Sequence, residues 1–198
     1  SLGWSGEEMS TTSDSHFITL QHCIVHEGLF RAGHHKGDRG YGICFGGSQA
    51  TMHHCLLAHN NARTPRFSGA QSTDYVAYVE YINNVNYNYI NAAHGGEINV
   101  SNTKYHQSET NFVGNYYKPG PATLIYKPDK KKWNFFNQTV DAPSMGKTID
   151  IPKWYFAGNV MEGSDELTKD NWKGVTIDNT DYYTISEMRV DTFIQPVN

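Results

Sequence analysis

The sequence predicts an all-β chain wound as a solenoid. Three observations carry this: helical periodicity is nearly absent, a short β-like segment keeps returning, and a polar corner residue returns with it. No apolar pattern at i, i+3, i+4, i+7 is sustained, because Gly, Asn, Thr and Tyr interrupt every candidate. The returning segments are 16–28 (HFITLQHCIVHEG), 50–61 (ATMHHCLLAHNN), 77–89 (AYVEYINNVNYNY), 110–121 (TNFVGNYYKPGP) and 154–163 (WYFAGNVMEG). With Cys23, Cys55, Asn84, Asn115 and Asn159 as equivalent points, the spacings are 32, 29, 31 and 44 residues. A period of roughly 20–50 residues indicates stacked repeats. Strands without intervening helices favour a parallel β-helix over helical repeats. Aliphatic residues are expected inside the coil, with Asn, Ser or aromatic ladders at its corners.

The one long spacing contains KPDKKKWNFFNQTVDAPSMGKT (127–148), which reads as a surface excursion rather than a linker, so residues 1–198 form one domain. Solenoids are closed by capping turns. The chain starts abruptly at Ser1-Leu2-Gly3-Trp4, stops at Gln195-Pro196-Val197-Asn198, and shows no amphipathic cap helix. It is therefore expected to be an excerpt incomplete at both ends, completed by other chain segments or subunits.

Composition limits the function classes. The 198 residues carry 16 Lys+Arg against 20 Asp+Glu, and 13% are aromatic, so neither a disordered polyelectrolyte nor a general nucleic-acid binder fits. A mean hydropathy of −0.60 without an apolar run near ~18 residues argues against a membrane-spanning helix. Residues 1–14 contain no basic or apolar signal region. Three cysteines without a CxxC pair build neither a disulfide framework nor a zinc ribbon.

Charge is uneven locally. Between Gly28 and Thr73, Arg31, Lys36, Arg39, Arg63 and Arg66 are opposed by Asp38 alone. One turn of about 30 residues separates Lys36 from Arg63, so both can face one groove. Such a groove is either a solvated basic face or a site for a polyanion whose carboxylates need Arg and Lys partners. Eight histidines fall within the first 59 residues. No HExxH motif is present, and His53-His54 on a strand should point to opposite faces. His22-Cys23 and His54-Cys55 share a repeat position, so a structural stack accounts for them better than a metal. Glu7 and Glu8 are adjacent carboxylates of the kind that hold Ca²⁺, or else exposed surface charge.

Several of these stretches together resemble the pectate lyase superfamily, specifically polysaccharide lyase family 1 and its pectate trisaccharide-lyase-like branch. The likeness rests on Trp4-Ser5-Gly6-Glu7-Glu8, on residues 18–29 (ITLQHCIVHEGL) and on 35–42 (HKGDRGYG). It continues through 53–67 (HHCLLAHNNARTPRF), Tyr81-Ile82-Asn83-Asn84-Val85, 114–121 (GNYYKPGP) and 170–174 (DNWKG), in family order over roughly residues 1–175. It implies a right-handed parallel β-helix and cleavage of polygalacturonate by Ca²⁺-assisted β-elimination. The expected location is outside the cell, secreted or periplasmic.

The resemblance also implies residue roles. Arg63, in the R-x-P motif, stands where the family places its base, and Lys36 where it binds the same carboxylate. Arg66, Arg39 and His35 are expected to bind substrate, and Glu7 and Glu8 to hold the metal. An arginine base is unexpected from its ordinary pKa above ~12, so calcium and neighbouring cations must help lower it. Two positions depart from the family pattern: Ser68 stands where a second arginine follows the first, and Ser10 where a second acid belongs. A non-catalytic β-helix that binds polysaccharide or serves as a structural subunit is the alternative. Hydrolysis would need two opposed carboxylates, and residues 28–73 offer only Asp38.

Overall fold

The computed structural model describes residues 15–31, 33, 35, 37–68, 76–96, 108–140 and 151–196, and the backbone of 7–10. Its strands come in threes. The first turn of the coil has β1 (Glu7–Ser10), β2 (Thr19–Gln21) and β3 (Ile24–His26), and the second β4 (Tyr41–Phe45), β5 (Ala50–His53) and β6 (Leu56–Ala58). The third has β7 (Arg66–Phe67), β8 (Ala77–Ile82) and β9 (Val85–Tyr87), and the fourth β10 (Ala93–Gly95), β11 (Ser108–Val113) and β12 (Tyr116–Lys118). The helix α1 (Pro121–Tyr126) follows. A fifth turn has β13 (Phe136–Gln138), β14 (Lys153–Ala157) and β15 (Val160–Met161). After α2 (Asp165–Lys169) come β16 (Val175–Ile177) and α3 (Ile185–Met188).

Every third strand belongs to the same sheet, and all pairings are parallel. The first sheet runs β1-β4-β7-β10-β13-β16, the second β2-β5-β8-β11-β14, and the third β3-β6-β9-β12-β15. The chain is a parallel β-helix, as the recurrence of strand and corner residue requires.

The corner column between the second and third sheets lies where the spacing places it. His22, His54, Asn83, Gly114 and Gly158 take positive φ there, and each is followed by one of the five equivalent residues. Asn and Gly tolerate this left-handed backbone at least cost. The Asn side chains replace main-chain bonds that the corner breaks. Asn84 Oδ1 accepts from the Cys55 N–H at 2.9 Å, while its Nδ2 donates to the Met52 carbonyl at 2.9 Å. Asn115 repeats this on Asn84 and Tyr81, and Asn159 on Asn115 and Phe112. The ladder then reaches Asn171, whose Oδ1 accepts from the Asn159 N–H at 2.8 Å. Asn171 lies only 12 residues further on, inside a 3-10 turn (Asn171–Gly174).

Two expectations need correction. The interior is aliphatic only at first: the column Leu20, Met52, Tyr81, Phe112, Phe156 turns aromatic from the third turn on. Phe67, Phe136 and Trp154 join it, with Phe136 and Trp154 ring centroids 4.1 Å apart. Strands ~4.8 Å apart put equivalent rings at offset-stacking distance, so one aromatic favours another above it. The stretch 127–148 is not simply an excursion, because Trp133, Phe135 and Phe136 are buried and β13 is a full member of the first sheet. Its lysine run occupies only a 3-10 turn, Lys130–Lys132, ahead of that strand. Both α2 and α3 are short helices without a long amphipathic repeat, yet each sends one residue, Leu167 and Met188, into the core.

Candidate functional site

The first sheet carries the polar constellation. Its row facing away from the aromatic core reads Cys44, Arg66, His94, Asn137, Thr176, each opposite the next in parallel register, with the Ser10 backbone paired to Cys44. Side chains on one face of a strand alternate with core residues, so this row lies outside the column containing Phe45 and Phe67.

Arg63 enters the row from the corner before β7. Its φ is +58°, a left-handed backbone that a bulky, non-glycine residue adopts only when neighbours hold it. The Ile43 N–H donates to the Arg63 carbonyl at 2.9 Å, and Thr64 Oγ1 donates to the Asn91 carbonyl at 2.8 Å, fixing the loop on both flanking turns. The guanidinium carbon lies 4.4 Å from the centroid of the Tyr41 ring, and that of Arg39 lies 5.2 Å from the same centroid. Tyr41 is thus a common platform for two cations, whose attraction to the ring face partly offsets their mutual repulsion. Burial and, secondarily, the charge of Arg66 push the Arg63 guanidinium down to about 10. This is the direction that an arginine base requires.

His94 is half-buried beside these cations. Burial first, then Arg66 and Arg63, push its imidazole down to about 4, so it is neutral near pH 7. Motif and composition do not single out His94. The one signal for it in the sequence is its place about one turn after Arg66.

The other expected site residues separate. Arg31 leaves the basic cluster: it is exposed and forms an ion pair with Asp38 at 3.8 Å. His35 is exposed in the connection between β3 and β4, and Lys36 lies outside the described residues. Glu7 and Glu8 fall in β1, with Glu7 in register with Tyr41, one strand from the platform; their side chains lie outside the described residues. Ser68, where the family pattern has an arginine, is buried against Gly46, which has no side chain to compete for the space. It adds no cation.

His53 and His54 do not point apart as expected. His54 leaves the strand at φ +54°, and the two Nδ1 atoms meet at 2.8 Å. His22 stacks over His54 with centroids 5.4 Å apart, so the shared repeat position does produce a histidine stack. Among the described residues no group of three or more His, Cys, Asp or Glu side chains could hold a metal.

The chain is 25% identical over 206 aligned residues to a Neosartorya fischeri protein named Probable pectate lyase C, covering 98% of this chain and 42% of the relative. The protein of that name from two strains of Aspergillus fumigatus is 28% identical over 136 residues, covering 68% of this chain and 28% of the relative. The chain is similar to the pectate lyases. It spans less than half the length of the curated relatives it matches. No family model matches it. Among the described residues no helix is long and apolar enough to cross a membrane.

Proposed function

We propose that the chain belongs to a secreted pectate lyase that cleaves polygalacturonate by β-elimination, with Arg63 as the base. The observation that supports this reading is the state of Arg63: held over Tyr41 by its strained corner, and lowered to about 10 by burial and Arg66. The reacting C–H lies next to an anionic carboxylate and is a poor acid. Its removal therefore requires cations that meet the charge as it develops. The neutral form of Arg63, which its lowered basicity makes accessible, takes the C5 proton and afterwards releases it to solvent. The electron pair left behind forms the C4–C5 double bond as the C4–O bond breaks, and the departing oxygen takes a proton from water.

Arg66 and Arg39 bind flanking carboxylates as guanidinium forks suit them. Lys36 is assigned to the carboxylate of the reacting sugar and His35 to substrate binding, both from the resemblance. Glu7 and Glu8 would supply two oxygen donors to calcium, which when bound neutralises carboxylate charge.

The test is the ultraviolet absorbance of unsaturated product when polygalacturonate and Ca²⁺ are added to the protein. A steady rise that requires Arg63 is expected. No rise from calcium-loaded protein sinks the lyase reading and leaves a polysaccharide-binding β-helix.

A further inference from the structure

A cavity of about 360 Å³ opens along the first sheet beyond the arginines, lined by Ala62, Asn91, His94, Lys127, Asn134 and Asn137 among others. It adjoins the candidate site, because Ala62 precedes Arg63 and His94 stands opposite Arg66. Its volume suits a single sugar ring, at the low end of the ~300–1,000 Å³ typical of ligand clefts.

The lining has a definite chemistry. Lys127 caps the C-terminus of α1, whose backbone is fixed by the Lys127 N–H donating to the Thr123 carbonyl at 2.7 Å. The Trp133 indole N–H donates back to the Lys127 carbonyl at 3.0 Å. Lys127 is half-buried, and no carboxylate lines the cavity. Its amine has no ion-pair partner among the described residues, and burial pushes it below the usual lysine range. A half-buried cation that no protein anion compensates is costly to keep unless a ligand supplies the anion.

The neighbours add hydrogen-bonding direction. Thr176 Oγ1 donates to Asn137 Oδ1 at 2.7 Å, so the open side of the Asn137 amide is its donor. In the neutral His94 ring one nitrogen donates and the other accepts, so the imidazole can offer an acceptor. A cation, an amide donor and an imidazole acceptor match a carboxylate and a ring hydroxyl on one sugar.

We infer that this cavity is a second uronate subsite, in which Lys127 pairs with the carboxylate and His94 accepts from a hydroxyl of the same residue. The assignment rests on the lyase reading for its polymer, and adds to it a recognition site away from the reacting bond.

The experiment is calorimetric titration of trigalacturonate, and of its full methyl ester, into Arg63→Ala protein with and without Lys127→Met. Methionine keeps much of the stem of Lys127 and removes its ammonium, charge and N–H donors together. The expected result is a 10- to 100-fold weaker affinity for the acid trimer, as for loss of a charged hydrogen bond, with affinity for the ester unchanged. Equal affinity for the acid trimer with and without Lys127 overturns the inference. So does an equal loss for acid and ester, or no binding of the acid trimer by the parent. The two readings fail separately. Wild-type protein that releases no unsaturated product, yet binds the acid trimer through Lys127, removes the lyase and leaves the subsite. Lyase activity with an unchanged trimer affinity in Lys127→Met removes the subsite alone.

Discussion

His94 stands opposite Arg66 in the parallel register of β7 and β10, and its imidazole is held near pKa 4 by burial and by the two neighbouring arginines. In the unfolded chain the same group titrates near ~6.5. Between these values the unfolded state binds the proton and the folded state does not, so stability falls as pH drops from about 6.5 toward about 4. The full loss is about 3 kcal/mol. Urea unfolding as a function of pH should show this slope in the wild type and a flatter one in His94→Gln. An identical slope in both would assign the acid sensitivity elsewhere.

Arg63→Ala should lower turnover on polygalacturonate by about 10²–10⁴-fold, the usual contribution of a positioned base. The thermal midpoint should change little, because the bond that anchors the corner is the main-chain contact from Ile43. Arg63→Lys keeps the charge but not the planar fork and should remain well below wild type. Full activity in either variant refutes the base assignment.

Asn115 is fully buried and bonded to both neighbouring turns. Replacing it with Ala leaves the Asn84 N–H and the Tyr81 carbonyl without their side-chain partner. At about 1–3 kcal/mol for each buried unsatisfied group, the loss is about 2–6 kcal/mol, measurable by denaturant titration. A loss under about 1 kcal/mol would mean that the ladder adds little to stability.

If Glu7 and Glu8 hold calcium, chelation should abolish product formation and added Ca²⁺ should restore it. The Glu7→Gln, Glu8→Gln double variant should need about tenfold more Ca²⁺ for half-maximal rate, since ligand charge sets affinity. An unchanged calcium response would move the metal to other residues.

Much of the coil and part of the site are legible in the amino-acid order alone. Asn84, Asn115 and Asn159 mark the turns, because a corner that breaks main-chain bonding selects a small side chain able to replace it. Arg63 and Arg66 stand out because they are close in sequence and belong to a motif. Tyr41 is one residue of a motif with no marked role of its own, and its place as a platform for Arg39 and Arg63 depends on three-dimensional contacts. Lys127 is hidden in a lysine-rich stretch whose other members are exposed. The His53-His54 pair escapes the alternation rule because that rule holds only while φ stays negative, and His54 has left the strand.

The sequence by itself determined the period, the corner ladder and the excess of cations over one stretch, because each is a local choice repeated or concentrated along the chain. Only the tertiary structure decided which cations meet. Winding brings residues about 30 apart into register ~4.8 Å from each other, so Arg66 acquires His94 as a neighbour while Arg31 turns outward to Asp38. The lowered basicity of Arg63 has the same origin: burial and a second arginine are properties of the assembled sheet, and neither exists in the extended chain.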